Sequence, residues 1–284
     1  MLSYRHAFHA GNFADLLKHL IQIEIINYLK KKDKPFDYID THAGAGIYQL
    51  TGSMADKNKE YLNGIGHFLG ERAAESGDLD ALIEQVNICQ QNNATGDTVL
   101  YPGSPAIASQ LIRKHDKAWL HELHPADFSL LEQQFHRNRN IYVKKVDGFQ
   151  GLLGLLPCLS RRAFVLIDPP YEIKDDYEKV VDIVCKAHRK MSNTIFAIWY
   201  PVVERERIEV IGSRFKNSGI ANICRFELGI KADTQEKGMT SAGMIVINPP
   251  WTLFGKMQKQ LPELAKIVSQ DGNLHFKCEQ WVAE

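Results

Sequence analysis

The residues best suited to chemistry stand in two turns. The apolar run Phe164-Val165-Leu166-Ile167 ends on Asp168-Pro169-Pro170-Tyr171. Consecutive prolines fix φ twice and remove two backbone N–H donors, so the turn is stiff and its carbonyls are left to accept. A flat amine suits it: Asp168 and the Pro169 carbonyl accept the two amine hydrogens, and Tyr171 stacks on the ring that bears them. The plainer reading, that Pro-Pro merely ends a strand, leaves the flanking acid and aromatic without a role. In the second turn, Asp40-Thr41-His42-Ala43-Gly44-Ala45-Gly46, two glycines let the backbone bend tightly and approach a ligand with no Cβ in the way. Gln49, after bulky Ile47 and Tyr48, occupies the sixth place of Gly-x-Gly-x-x-Gly and disfavours a pyrophosphate.

Both turns follow strand-like runs. Seven such runs occur: Phe36 to Asp40, Ala118 to Leu123, Ile141 to Val146, Phe164 to Ile167, Ile195 to Tyr200, Arg225 to Ile230 and Met244 to Ile247. Helical patterns at Tyr177 to Met191 and Glu204 to Ser218 separate later ones, and residues 12 to 30 predict an amphipathic helix with Asn12 as N-cap. Alternating strands and helices predict an α/β fold with a mostly parallel, seven-stranded sheet, the last two runs adding an antiparallel pair at one edge. From Gly46 to the acidic strand end at Glu122 there are 76 residues, where a βαβ unit would use roughly 20. A small helical subdomain is therefore expected at residues 51–98, inserted into a core made of residues 1–50 and 99–284. Its stripes are Tyr61, Ile65, Phe68, Leu69 and Leu79, Leu82, Ile83, Val86, parted by a Glu75-Ser76-Gly77 turn.

Composition narrows the class. The 284 residues carry 34 Lys+Arg against 34 Asp+Glu, which excludes a globally basic nucleic-acid coat and permits a local basic patch. No run approaches the roughly 20 apolar residues of a membrane helix, and the amino terminus has no apolar signal core, so a cytoplasmic protein is expected. The five cysteines are widely spaced and suggest neither a disulfide framework nor a metal knuckle. No surplus apolar helix suggests an oligomer, and a monomer is expected.

The two turns resemble the cofactor loop and catalytic loop of S-adenosylmethionine-dependent adenine-N6 methyltransferases. More closely, the chain resembles the RlmJ family through Tyr4-Arg5-His6-x-Phe8-His9-Ala10-Gly11-Asn12, Lys18-His19, the Asp40 to Gly46 loop, Tyr101-Pro102-Gly103-Ser104-Pro105, Glu122-Leu123-His124-Pro125 and Asn248-Pro249-Pro250-Trp251. The resemblance implies a Rossmann-like class I fold, S-adenosylmethionine as cofactor and methylation of one adenine N6 in bacterial 23S ribosomal RNA, with no metal. It implies that Asp168, with Pro169, Pro170 and Tyr171, forms the catalytic turn. His19, His42, Gly44, Gly46, Ser104, Glu122, Asp147 and Gly148 would line the cofactor pocket. Tyr4, with Lys18, would touch the RNA. Independent chemistry supports Glu122, a carboxylate at a strand end that can accept both ribose hydroxyls, and Asp147, an acid placed to meet an adenine amino group.

Other patterns compete. Asn248-Pro249-Pro250-Trp251 also has the form of an amine-binding turn, but chain order puts it after the last strand rather than beside the glycine loop; Trp251 is left to frame RNA. His121-Glu122-Leu123-His124 has histidines three apart rather than the four of a zinc helix, so metal binding is not expected. The lysines at 30, 31, 32 and 34 are either a solvated helix end or a phosphate contact. Residues 1 to 34, with six Lys/Arg against three acids plus Tyr4 and Phe8, look like an aromatic and cationic RNA contact. Two alternatives stay open on residues alone: the same chemistry on DNA adenine or a protein amide nitrogen, and a non-catalytic RNA-binding module.

Overall fold

Helix α1 (Phe13–Lys30) starts where Asn12 caps it, the Asn12 side chain accepting from the amides of Ala14 and Asp15. This helix is buried on nearly every side, including its polar Asp15, Lys18, His19 and Gln22. Buried charges must be paired, so α1 carries more than a core face. The computed structural model describes residues 6–51, 58–69, 79–171, 174–234 and 238–284; Tyr4 and the turn at 75–77 lie outside them.

The strands and helices that follow are β1 (Asp37–Asp40), β2 (Ile47–Gln49), α2 (Asp80–Asn93), β3 (Leu100–Pro102), α3 (Ser104–Leu111), β4 (Lys117–His121), α4 (Pro125–Phe135), β5 (Ile141–Lys144), α5 (Gly148–Leu155), β6 (Ala163–Ile167), α6 (Lys174–Lys190), β7 (Ile195–Val202), α7 (Arg205–Lys216), β8 (Ile223–Gly229), β9 (Ser241–Ile247), α8 (Leu253–Val268) and β10 (His275–Val282). The main sheet runs β10-β8-β9-β7-β6-β1-β4-β5. Every residue of β1, β6, β8 and β9 is buried, as expected of strands covered on both faces. One face packs on α1, the other on α5, α6 and α7.

The sheet has eight strands, one more than expected. The extra strand is β10, which pairs antiparallel with β8 and leaves β9 antiparallel between β7 and β8. Its sequence, His-Phe-Lys-Cys-Glu-Gln-Trp-Val, is half-exposed throughout, so it lacks the apolar signal that marks the inner strands. Residue 248 consequently ends the penultimate strand.

The glycine loop does not enter a helix directly. It runs into β2, which pairs with β3 (Ile47 opposite Pro102) as a separate two-stranded sheet. The helix that a βαβ unit would place after the loop is α3, reached only after residues 51–98 have been traversed. Within that segment, Glu60–Asn63 and Ile65–Phe68 form short 3-10 turns ahead of α2. Ile65, Phe68, Leu79, Leu82 and Val86 share one core with α1, and the Ile65 amide donates to the Gly11 carbonyl.

Candidate active site

The register of the sheet sets the site. Asp40 of β1 lies opposite Leu166 of β6, and the Thr41 amide donates to the Leu166 carbonyl at 3.1 Å. The glycine loop and the Asp168 turn therefore leave adjacent parallel strands at the same level, the place where open α/β sheets bind ligands. β4 delivers Glu122 on the other side of β1, and β5 leads to Asp147.

These ends enclose a cavity of about 450 Å³, a volume suited to a small-molecule ligand. Asp168, Pro169 and Pro170 form one wall, and His42, Gly44, Glu122, Asp147 and Gly148 line it with Ser104, Lys18 and His19. Gly46 and Tyr171 are not in the wall. The Gly46 carbonyl accepts from the Gly103 amide at 2.8 Å, tying the loop to the start of α3. Tyr171 adopts φ 50, which turns its ring away: it packs on Tyr177 at 4.3 Å between centroids and its hydroxyl donates to the Trp199 carbonyl. In this conformation it braces the turn from behind and is not placed to stack on a base in the cavity.

Glycine is required where backbones meet. A Cβ on Gly148 would lie 1.8 Å from the Thr41 carbonyl oxygen, so the two loops touch only because that side chain is missing. Gly44 has φ +63 and presses on the Tyr48 hydroxyl. Its amide donates to Glu122 Oε2 at 2.8 Å, while Oε1 accepts from the His124 amide at 2.6 Å. Glu122 thus clasps the glycine loop and retains lone pairs for hydroxyl donors. Asp147 caps α5 by accepting from the Gln150 amide.

The electrostatics are anionic. Five carboxylates (Glu122, Asp127, Asp147, Asp168, Asp176) share the wall with two ammonium groups, Lys18 and Lys179. Burial pulls His19 down to about 3 and His42 to about 4, so both rings are neutral near pH 7. His19 contacts the Tyr101 hydroxyl through Nδ1 at 2.8 Å, and its buried Nε2 meets no protein partner. An unpaired buried nitrogen at a cavity wall is an address for a ligand. Carboxylates for a ribose diol and an amino group, a free imidazole nitrogen and an acidic surplus fit S-adenosylmethionine, a nucleoside whose sulfonium carries positive charge.

Two buried residues do work that the sequence reading did not assign. Asp40 is fully buried, and burial pushes its carboxyl up to about 6 even though the Ser104 and Tyr38 hydroxyls both donate to its Oδ2, at 2.7 and 2.8 Å. Ser104 therefore spends its hydroxyl beneath the loop. Asp15 explains the second departure. Lys18, expected on RNA, is buried with its Nζ 2.8 Å from Asp15 Oδ1 and 2.7 Å from Asp168 Oδ2. Spacing along α1 places Lys18 beside Asp15, but its second partner, Asp168, is 150 residues away in sequence. Among the described residues no group of three or more His, Cys, Asp or Glu is placed to hold a metal ion, and His121 instead contacts the Asp40 carbonyl.

Comparison with known proteins supplies the family. Residues 33–283 match the family model described as ribosomal RNA large subunit methyltransferase D, RlmJ. The ribosomal RNA large subunit methyltransferase J of Escherichia coli (strain K12) is 46% identical over 285 residues, covering 100% of both chains. That of Haemophilus influenzae (strain ATCC 51907 / DSM 11121 / KW20 / Rd) is 42% identical over 284 residues, covering 99% of each. A solved protein of Legionella pneumophila str. Philadelphia 1 superposes with a TM-score of 0.85 at 32% identity, over 96% of this chain and 98% of that one. On a full-length match to both sequence and fold, the chain belongs to the RlmJ family of ribosomal RNA large subunit methyltransferases.

Proposed function

We propose that the protein transfers the methyl group of S-adenosylmethionine to N6 of one adenine in 23S ribosomal RNA. The observation that carries this reading is the shared cavity: a proline-stiffened acceptor turn and a glycine loop at one rim of the sheet, joined by an acidic wall. The cofactor supplies an electrophilic methyl group, and the chain's own residues hold and orient. Glu122 would accept the ribose hydroxyls, Asp147 would accept from the adenine amino group, and His19 Nε2 would take a further polar contact. On the substrate side, Asp168 and the Pro169 carbonyl accept the two N6 hydrogens and hold the nitrogen in line with the methyl group. The N6–CH3 bond would form as the sulfonium S–CH3 bond breaks, leaving a neutral thioether, and one N6 hydrogen would leave as a proton to water. Because the amine lone pair is delocalised into the purine, Asp168 stabilises the positive charge that grows as nitrogen turns pyramidal. Lys18 fixes the Asp168 carboxylate from behind. A stacked adenine cannot present N6 to this turn, so the target is single-stranded or flipped out.

In this reading the protein works as a monomer, without a metal ion, in the cytoplasm; no helix among the described residues is long and apolar enough to cross a membrane. Residues 51–98 are an insertion in a methyltransferase core of residues 1–50 and 99–284, supported by the position of α3, and Tyr4 touches the RNA. The test is incorporation of tritiated methyl from the cofactor into naked ribosomal RNA, duplex DNA and protein, followed by digestion of the labelled polymer. Label in RNA recovered as N6-methyladenosine from one position is the expected result. Label confined to DNA or protein would replace the substrate, and no transfer to any of the three would remove the enzymatic reading.

A further inference from the structure

Two sequence features take no part in the cavity: the lysines at 31, 32 and 34, and Asn248-Pro249-Pro250-Trp251. The fold brings them into one groove of about 1000 Å³ whose wall includes Tyr28, Lys31, Lys32, Lys34, Arg162 and Trp251. Their meeting follows from strand direction. β1 starts at Asp37, just beyond the lysines, and β9 runs antiparallel to β7, so Ile247 at its end lies opposite Phe196 at the start of β7. The groove therefore opens at the rim opposite the active site. Helix α1 connects the two: Lys18 stands in the cavity and Lys31 in the groove, a rise of about 20 Å at 1.5 Å per residue.

The groove is held rigidly. Arg113 donates to the carbonyls of Lys32 and Lys34, both at 3.0 Å, and Arg162 donates to those of Leu29 and Lys34. These guanidinium groups fasten the backbone inward, and residues 31–35 are exposed. Among the described residues, none of Lys31, Lys32 and Lys34 has a carboxylate partner; Asp33, in the same wall, lies 3.8 Å from Arg113. On the other side, Asn248 adopts φ 53 and its Nδ2 donates to the Ser192 and Thr194 carbonyls at 2.7 and 2.8 Å. That fixed turn leaves Trp251 82% exposed. Lysines after a helix carboxyl end are explained by the helix dipole alone. An indole left almost wholly in water on a pinned turn is not, because burial of its large apolar face is the favourable outcome.

We propose that this groove binds a single-stranded segment of the RNA substrate away from the target adenine, one base stacking on Trp251 and the adjoining phosphates meeting Lys31, Lys32 and Lys34. An aromatic platform among cations that have no carboxylate partner, Lys31 lying 6.0 Å from the Tyr28 ring centre, is the make-up of a single-strand site, and the inference rests on RNA being the substrate. The spacing along the buried α1 requires the RNA to span at least about 20 Å over the surface between cavity and groove.

The test uses the full chain, naked 23S ribosomal RNA, and two variants, Trp251→Ala and the triple variant Lys31→Glu, Lys32→Glu, Lys34→Glu. Trp251→Ala is expected to weaken RNA binding about tenfold. The triple variant should weaken it further and flatten the plot of log affinity against log salt by about two units, at roughly 0.7 per phosphate contact. S-adenosylmethionine affinity by calorimetry and kcat at saturating RNA should stay at the wild-type values. Wild-type RNA affinity and salt slope in both variants would overturn the proposal. So would a defect seen only on assembled ribosomal particles, which would assign the groove to a protein. If wild-type enzyme binds RNA without methylating it, the methyltransferase reading fails while the binding comparison still decides the groove.

Discussion

Removing the Lys18 ammonium should expose how much the active site depends on one buried cation. Lys18 bridges Asp15 and Asp168 at 2.8 and 2.7 Å. Burial pushes the Asp15 carboxyl up, but His6 and Lys18 beside it hold it well below the usual 3.8. Burial pulls Lys18 down, yet its two acids raise it well above 10.5. A depressed acid contributes stability above its ordinary value and loses it as pH falls through the lowered one. A raised amine contributes below its ordinary value and loses it as pH climbs through the raised one. The bridge is therefore fully present between pH 3.8 and 10.5. In Lys18→Met the two carboxylate oxygens face each other at about 5.5 Å or less, the two contacts laid end to end, a repulsion of about 3 kcal/mol at an effective dielectric constant near 20. His6 still faces Asp15 at 2.9 Å, so Asp168 is the carboxylate left without its cation, and removing one partner of a buried pair costs about 3–5 kcal/mol. Urea denaturation at pH 7 should show a loss of that size, smaller in Lys18→Arg, and the gap to wild type should narrow in acid as Asp15 takes up a proton. Equal stability at pH 7, or a gap that persists unchanged into acid, would refute the bridge as a stabilising element.

Three further substitutions read other contacts. Gly148→Ala, whose Cβ would lie 1.8 Å from the Thr41 oxygen, should part the two loops and lower methyl transfer about a hundredfold, since a displacement of about 1 Å suffices for that; initial rates at saturating substrate measure it. Ser104→Ala removes one hydroxyl from Asp40. Asp40 sits above its ordinary value, at about 6, so the native state loses stability as pH rises from 3.8 through that value; losing the donor should extend the decline about one unit higher, visible as a thermal midpoint that still falls between pH 6 and 7 where wild type is level. Glu122→Gln is isosteric but cannot accept from both the Gly44 and His124 amides, and the amide hydrogen left facing its –NH2 group should cost about 1–3 kcal/mol, read by denaturation together with weaker S-adenosylmethionine binding by calorimetry.

Much of this architecture is written in local patterns. Buried strands produce uninterrupted apolar runs, which is why β6 and β7 stand out, while β1 shows only Tyr38 and Ile39 between two aspartates; Asn12 marks the start of α1 through a backbone bond that any helix needs. The two ligand turns are visible because their glycines and prolines have conformational meaning within a few residues. What escapes is whatever depends on distant partners. β10 is an edge strand of mixed character, recognisable only from the β8 edge it covers. Lys18, expected on the RNA, is instead claimed by Asp168, which β6 brings to it from 150 residues away. Tyr171, expected to face the ligand, has φ 50 and instead gives its hydroxyl to the Trp199 carbonyl, a partner 28 residues away.

Asp168 acts on the target amine and not on the cofactor in the proposed reaction. Asp168→Ala leaves Lys18 paired with Asp15, so the fold and the glycine loop should survive. Isothermal calorimetry of S-adenosylmethionine and tritiated methyl transfer to ribosomal RNA, performed on that variant, separate the two roles. Cofactor affinity should stay within a few-fold of wild type while methyl transfer falls at least about a hundredfold, the scale for removing one pre-organised electrostatic group. Undiminished turnover, or loss of cofactor binding in step with loss of transfer, would contradict that role for Asp168.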